Sequence, residues 1–207
     1  MGEDIKTFNR SNGRAYSIRS NRDRFFYPYE WFKFFDKLKK SQRFTFEVLI
    51  NTGARINEAR HIKVGDIDYE RNTIILRVTK VKAKKGEKNP RPRTIKVSGK
   101  FAKYLKKHLQ GKDNDDYIGV LSTPGANLAM KKALKDAGIK DYYMFSIHNI
   151  RKTLECWLMA LGIDGLKIVA HFGHSMDVAA KNYLAADIFN WEDKTKIREI
   201  IGGIYDR

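Results

Sequence analysis

The sequence predicts a mainly α-helical domain with one small antiparallel β-sheet, an α+β arrangement. Apolar residues recur at helical spacing through most of the chain between Tyr29 and Gly162. Two β-branched runs, TIILRVTK from Thr73 to Lys80 and RTIKV from Arg93 to Val97, flank a loop rich in Gly and Pro. The chain has 207 residues, of which 42% are apolar, and this is enough for a core.

The apolar spacing predicts the helices in chain order. They run from Tyr29 to about Asn51 with a break near Lys40 and Ser41, from Ile56 to Ile62, from Gly99 to Leu109, from Ala126 to Gly138, from Ile147 to Gly162, and through GLKIVAHFG. The C-terminal NWEDKTKIREIIGGIYDR is expected to contain a short helix and a tail. Residues 1–24 are polar, basic and without period, so we expect a linker or arm there and a compact domain over residues 25–207.

Charge points to a polyanionic partner. The chain has 41 Lys and Arg against 24 Asp and Glu, a formal net charge of +17, and a pI of about 9.9. No apolar run approaches the roughly 18 residues of a spanning helix, so double-stranded DNA is a better candidate than a membrane. The N-terminus has no signal-peptide pattern, and Cys156 is a single cysteine, which excludes an internal disulfide. We therefore expect a cytoplasmic, nucleoid-associated protein, or one in the cytoplasm of a host cell.

Two pairs of side chains have the spacing of one helix face. His148 and Arg151 are three residues apart at the start of a predicted helix. Arg55 and Glu58 repeat that spacing just after Gly53, a residue that lets the backbone approach another group closely. Each pair alone is more often a solvated surface ion pair than part of a site.

A third segment, HFGHSMDVAAKNY, places Tyr183 nine residues after His174. Together, TGARINE, HNIRKT and this segment resemble the three-part signature of the tyrosine recombinase, or phage integrase, family. The order and the spacings agree over most of the chain, from Phe25 to about Phe189. The composition, rich in lysine and nearly free of cysteine, would suit an integrase of an archaeal virus or plasmid.

The resemblance implies the fold of an integrase catalytic domain and a role for each matched residue. Arg55 and Arg151 would hold the scissile phosphate, since a guanidinium offers a charged, forked donor. His148 and His174 would hydrogen-bond the same phosphate. Tyr183 would be the nucleophile that forms a 3′-phosphotyrosyl bond. Glu58 would support the site without reacting.

The resemblance also requires a general acid from a lysine on the hairpin. Lys80 aligns best with that position, and Lys82 and Lys84 are alternatives. The other basic residues of the hairpin are expected to contact DNA phosphates, namely Lys85, Lys88, Arg91 and Arg93.

Other readings of single residues are less favoured. His171 and His174 form an H-x-x-H pair, but no third ligand lies at zinc spacing, so neither metal nor any other cofactor is expected. Tyr142 and Tyr143 are rival phenols that lack the Gly-His-Ser context, and packing is their expected use. Cys156 is expected to be an apolar helix residue.

The resemblance implies a site-specific DNA recombinase, monomeric when free and a homo-tetramer on DNA. The alternatives are a type IB topoisomerase, which nicks and religates one strand, and a DNA-binding module that keeps the fold without catalysis. Family members commonly carry another DNA-clamping domain before the catalytic one, and residues 1–24 would be the linker to it. The C-terminal residues from about 190 to 207 would pass to a neighbouring protomer or pack on their own domain.

Overall fold

The computed structural model of the chain describes residues 24–77, 92–173 and 188–205, and the backbone alone of residues 6–9 and 15–18. The helices of these ranges are α1 (Pro28–Asp36), α2 (Lys40–Thr52), α3 (Ile56–Arg60), α4 (Gly99–His108), α5 (Thr123–Asp136), α6 (His148–Ala160), α7 (Gly165–Phe172) and α8 (Trp191–Ile201). The strands are β1 (Lys6–Asn9), β2 (Ala15–Ile18), β3 (Ile67–Asp68), β4 (Thr73–Leu76) and β5 (Arg93–Lys96).

The predicted fold class is confirmed, and the helix boundaries agree with the sequence pattern to within a few residues. The predicted break near Lys40 separates α1 from α2. The largest shift is at α5, which begins at Thr123, because the Ser122 side chain accepts a hydrogen bond from the Gly125 N–H at 3.2 Å and caps the helix early.

Strands β3, β4 and β5 form an antiparallel sheet in that order. Ile74 lies opposite Ile95, and Leu76 lies opposite Arg93. The predicted hairpin is therefore confirmed at its base. Residues 78–91, which join β4 to β5, lie outside the described residues.

Helix α6 is the central helix of the core. Its apolar stripe of Ile150, Leu154, Trp157 and Leu158 is buried, each residue at most 1% exposed, and Leu161 just past the helix is partly buried. The polar residues Asn149, Arg151, Thr153 and Glu155 are buried as well, because α2, α7 and α8 pack around the helix. Side chains that project from α6 are thus held in place by neighbours on several sides.

An aromatic cluster joins α1 to α6. The ring of Phe26 lies 5.3 Å from that of Trp31 and 5.1 Å from that of Phe34, measured between centroids. Trp157 packs edge-on against Trp31, and its indole N–H donates to the Phe26 carbonyl at 3.0 Å. Burial of rings of this size stabilises the domain strongly, and the hydrogen bond satisfies the polar edge of Trp157.

Arg24 is buried, although it precedes the predicted start of the compact domain. Its guanidinium pairs with Glu30, donates to Asp141 at 2.7 Å and lies 4.5 Å from the ring centroid of Phe145. The Asn149 side chain on α6 donates to the Arg24 carbonyl. The segment that leads into α1 is therefore fastened to α6 by charge and by hydrogen bonds.

Upstream of Arg24, the backbone of β1 pairs with β2 in an antiparallel register that joins Lys6 to Ile18 and Asn9 to Ala15. The sequence pattern gives no indication of this pairing, because these residues are polar and lack a clear alternation. The use of residues 1–24 as a linker or arm stays a prediction.

Helix α8 packs on α1 and α6 of its own chain and buries Ile197 and Ile201, while Ile204 is buried just beyond the helix. This is the second of the two arrangements considered for the C-terminal residues, and their exchange between protomers in an assembly stays a prediction. No helix in the described ranges has both the length and the apolar character needed to cross a bilayer.

The first prediction concerns Arg24. Arg24→Met should lower the free energy of unfolding by about 3–5 kcal/mol, because it leaves the carboxylate of Glu30 buried without its partner. Urea denaturation at neutral pH measures the change. Arg71→Met is the matched control, since Arg71 pairs with Asp68 at the surface, and its effect should be small. Equal losses in the two variants would contradict the prediction.

Candidate active site

The turn between α2 and α3 brings Arg55 to the site. Helix α2 ends at Gly53, which has a φ of +59° and donates its N–H to the Leu49 carbonyl at 2.9 Å. A Cβ at Gly53 would lie only 2.5 Å from the ring of Phe172. The close backbone approach expected at this glycine is thus present, and the group that approaches is the end of α7.

Glu58, on α3, lies at the centre of a cluster of arginines and is 2% exposed. Its carboxylate accepts hydrogen bonds from the backbone N–H of Arg55 at 2.9 Å and from the Arg55 guanidinium at 2.8 Å. Arg93 donates to both carboxylate oxygens, at 3.0 and 2.7 Å. These four bonds match the acceptor capacity of a carboxylate. Glu58 is therefore a buried, hydrogen-bonded partner of these arginines and not a solvated surface residue, while its supporting role in a reaction stays a prediction.

Arg151 joins the same cluster from α6. Its side chain is 6% exposed and lies 3.9 Å from Glu58. The guanidinium donates to the Gly53 carbonyl at 2.7 Å and to the Phe172 carbonyl, and it lies 4.9 Å from the centroid of the Phe172 ring. His148, three residues earlier, is the first residue of α6 and is exposed. The pair thus combines a buried cation with a histidine at the surface.

Arg93 differs most from the sequence expectation. The hairpin pattern groups it with the DNA-contacting residues of a basic loop, whereas the structure places its side chain in the cluster, 12% exposed. The available signal was the alternation of β5, since Arg93 lies on the same face as Ile95, which is buried. Its guanidinium also donates to the His171 carbonyl at 3.2 Å, so Arg93 connects α3 to the end of α7.

The cluster of Arg55, Glu58, Arg93 and Arg151 has three guanidinium groups and one carboxylate, a net charge of +2. Burial alone would raise the pKa of Glu58, but the hydrogen bonds and charges of Arg93 and Arg55 outweigh it and lower the pKa to about 2. Burial and the charges of Arg55 and Arg93 lower the pKa of Arg151 to about 9. Glu58 and Arg151 are therefore charged at neutral pH, and the net positive charge of the cluster suits an anion.

The end of α7 is held in place by His171. One ring nitrogen of this buried histidine lies 2.9 Å from the Thr52 carbonyl, and the other lies 3.0 Å from the Tyr205 hydroxyl. A neutral ring satisfies both, with Thr52 accepting and Tyr205 donating. Burial, together with the nearby arginines, lowers the pKa of His171 to about 4 and keeps the ring neutral. Both ring nitrogens of His171, the first histidine of the H-x-x-H pair, are thus hydrogen-bonded to other residues of the protein.

Helix α7 ends at Gly173, with a φ of +64°, directly before the segment that contains His174 and Tyr183. Several predicted site residues lie outside the described residues: His174, Tyr183, Lys80, Lys82, Lys84, Lys85, Lys88 and Arg91. Their roles stay predictions. Of the described residues near these segments, Arg93 is a member of the cluster, and Gly173 lies against the Arg93 side chain.

Tyr142, Tyr143 and Cys156, the other residues considered for their side-chain chemistry, lie outside the cluster of Arg55, Glu58, Arg93 and Arg151. Tyr142 is partly buried against the core, Tyr143 is half exposed, and their rings contact each other at a centroid distance of 6.1 Å. Cys156 is fully buried on α6, and burial raises the pKa of its thiol to about 12, which makes it unreactive at neutral pH. Tyr142 and Cys156 are thus packed against or within the core, whereas Tyr143 lies at the surface.

Comparison with known proteins gives a family match that spans the cluster. Residues 29–188 match the model of the phage integrase family, a range that contains every residue of the cluster. The chain belongs to the phage integrase family. It is 24% identical over 179 residues to the tyrosine recombinase XerA of Thermococcus onnurineus (strain NA1), a match that covers 82% of this chain and 59% of that protein.

Solved integrase and recombinase structures share the fold. A crystal structure of XerA recombinase has a TM-score of 0.60 at 20% identity, covering 89% of this chain and 64% of the other. The catalytic domain of bacteriophage HP1 integrase has a TM-score of 0.57 at 17% identity, covering 78% and 88%. The Tn1549 transposon integrase in complex with transposon right end DNA has a TM-score of 0.61 at 15% identity, covering 84% and 64%. The chain thus spans about three fifths of the length of XerA.

The second prediction uses the lowered pKa of Glu58. A carboxyl whose pKa falls from 4.5 to about 2 on folding stabilises the protein above pH 4.5, and this stabilisation is lost as the pH falls toward 2. The gap in unfolding free energy between the wild type and Glu58→Gln should therefore narrow by about 2 kcal/mol between pH 7 and pH 3.

Urea denaturation of both proteins at the two pH values measures this gap. Asp136→Asn is the control, because Asp136 forms a surface pair with Lys132 at 3.5 Å and should show little difference from the wild type at either pH. If the difference in unfolding free energy between the wild type and Glu58→Gln were the same at both pH values, the charge of the carboxylate would not be what holds the arginines together.

Proposed function

We propose that this chain is the catalytic part of a site-specific DNA recombinase that cuts and rejoins DNA through a covalent bond to Tyr183. The observation that supports the proposal most is the convergence of Arg55 and Arg151 on Glu58 from segments 96 residues apart in the chain. A net charge of +2 at one point suits a phosphate whose negative charge grows during reaction.

In the proposed reaction, the phenol of Tyr183 gives its proton to His148 or to solvent water, and its oxygen attacks a DNA phosphorus. The bond from phosphorus to the 5′ oxygen breaks, and that oxygen takes a proton from Lys80, or from Lys82 or Lys84. The products are a 3′-phosphotyrosyl bond and a free 5′-hydroxyl. The 5′-hydroxyl of a partner strand then attacks the phosphotyrosyl bond, which releases the phenol and rejoins the DNA without an external energy source.

The described geometry gives each arginine a distinct part in this proposal. Arg55 has the most exposed guanidinium of the cluster, with 26% of its side chain accessible, so it is the first to meet a phosphate from solution. Arg151 is oriented by the carbonyls of Gly53 and Phe172 and supplies a fixed charge behind it. His148, exposed at the start of α6, and His174 would donate to the phosphate oxygens.

Double-stranded DNA is the proposed partner, and a homo-tetramer on DNA is the proposed active assembly, with a monomer when free. The formal charge of +17 supports a polyanionic partner. A related structure, the Tn1549 transposon integrase, is in complex with transposon right end DNA. In such an assembly, the residues from Ile197 to Tyr205 would either stay on their own domain, as in the single chain, or pass to a neighbour.

The third prediction tests the nucleophile. On a nicked duplex from which the cleaved fragment diffuses away, the wild type should accumulate a covalent protein–DNA adduct, and Tyr183→Phe should form none, because the attacking oxygen is absent. Denaturing gel electrophoresis with labelled DNA measures the adduct.

Tyr143→Phe is the matched control, since Tyr143 is another exposed phenol of the same domain, and it should form the adduct at the wild-type rate. Failure of the wild type to form any adduct on its attachment-site DNA would favour a DNA-binding module. An adduct that rejoins only its original ends, without exchange between two duplexes, would favour the topoisomerase reaction.

The fourth prediction tests the hairpin as a DNA contact. Each phosphate that a lysine neutralises contributes about −0.9 to the slope of log affinity against log salt concentration. Replacing Lys85 and Lys88 together by Gln should therefore make the slope shallower by about 1.8 if both contact phosphates. Binding titrations by fluorescence anisotropy at several salt concentrations measure the slope, and an unchanged slope would exclude contacts by this pair.

A further inference from the structure

We infer that Arg93 is a positioning residue of the active site: it holds Glu58 and the end of α7 in one fixed relation, and through them the groups that act on the phosphate. This inference rests on the proposed recombinase function. It also differs from the phosphate-contacting role that the sequence pattern predicts for Arg93.

The first step is the contact between Arg93 and Glu58. The guanidinium presents two parallel N–H groups to the two carboxylate oxygens, at 3.0 and 2.7 Å, and the carboxylate is 2% exposed. A bidentate pair fixes the plane and the rotation of both groups. The orientation of Glu58 in turn determines where the Arg55 guanidinium lies, because Arg55 donates to the same carboxylate oxygen as one arm of Arg93.

The second step is the contact between Arg93 and the end of α7. A third N–H group, on Nε, donates to the His171 carbonyl at 3.2 Å. The aliphatic part of the side chain also covers Gly173, where a Cβ would lie 3.1 Å from Arg93 Cδ. Gly173 directly precedes His174 in the chain. Arg93 is therefore in contact with the turn that leads into the segment of His174 and Tyr183.

The third step is the place of Arg93 in the sheet. It is the first residue of β5 and is paired with Leu76, so it lies where the chain returns from the hairpin that contains Lys80. One side chain thus joins α3, the end of α7 and the base of the hairpin. These three elements carry Arg55, the His174 segment and the general-acid lysine of the proposed mechanism.

Three of the five N–H groups of this guanidinium are bonded to protein. Because the Arg93 guanidinium directs its paired N–H groups at the buried Glu58 carboxylate, it is better placed to orient neighbouring side chains than to bind a DNA phosphate. Lysine keeps the charge but cannot donate to two oxygens and a carbonyl in one plane. Arg93→Lys therefore separates the two roles.

The fifth prediction is tested by single-turnover adduct formation on the nicked duplex, measured over a range of protein concentrations. For Arg93→Lys, the maximal rate should fall by at least about tenfold, while the half-saturating concentration should stay within about twofold of the wild type. The salt slope of binding should not change, because lysine keeps the charge. Arg77→Lys is the matched control, because Arg77 lies on the opposite side of the hairpin base and pairs with Asp66. It should leave the maximal rate unchanged.

A second substrate distinguishes positioning from general damage. A methylphosphonate at the cleavage position removes one negative charge from the reacting group, so its reaction depends less on where Arg55 and Arg151 are held. The rate difference between wild type and Arg93→Lys should shrink several-fold on this substrate. A partly unfolded variant would lose the same factor on both substrates, and that result would overturn the inference.

Two other outcomes would overturn it. A normal maximal rate of Arg93→Lys would exclude positioning, and if the neutral Arg93→Gln then bound DNA more weakly with a salt slope shallower by about 0.9, Arg93 would be a phosphate contact. Loss of folding by Arg93→Lys and by the smaller Arg93→Gln, measured by circular dichroism, would assign the residue to stability. If the wild type forms no adduct dependent on Tyr183, the proposed function itself fails, which is a separate result.

Discussion

The carboxylate of Glu58 is the constraint on which the candidate active site depends. Three guanidinium groups lie around it, and without a negative charge at this point they would repel one another in a poorly hydrated region. The carboxylate is saturated by hydrogen bonds from Arg55 and Arg93, so its position determines theirs. Because Glu58 is buried, leaving its carboxylate without partners would cost free energy. The same burial strengthens its attraction to each arginine, since charges interact more strongly away from water.

The cluster keeps an excess of positive charge because Arg151 is oriented by neutral groups. Its guanidinium donates to the carbonyls of Gly53 and Phe172, which fix its direction without adding a second negative charge. Gly53 makes this possible, since its left-handed backbone ends α2 where Phe172 approaches too closely for any side chain. Backbone carbonyls at the ends of α2 and α7 thus orient Arg151, while the Glu58 carboxylate accepts hydrogen bonds from Arg55 and Arg93.

The sequence predicts those features that depend on local spacing. The apolar period of α6, the break between α1 and α2, and the shared face of Arg55 and Glu58 follow from helix geometry, and the structure contains them. It does not predict that Arg24 is buried or that the side chain of Arg93 is only 12% exposed, because arginine is usually exposed and each has a partner distant in sequence, Asp141 for Arg24 and Glu58 for Arg93. Only the alternation of β5 indicates that the Arg93 side chain lies on the same face as the buried Ile95. Its place next to a lysine-rich loop instead favours a surface contact with DNA.

Under the proposed function, the net charge of the cluster agrees with the charge of the reaction. A phosphodiester carries one negative charge, and attack by a phenolate brings a second to the phosphorus centre in the transition state. A fixed charge of +2 is therefore more complementary to the transition state than to the bound DNA, which is the condition for a faster chemical step. A second carboxylate at this point would have cancelled that difference, and the use of backbone carbonyls to orient Arg151 avoids it.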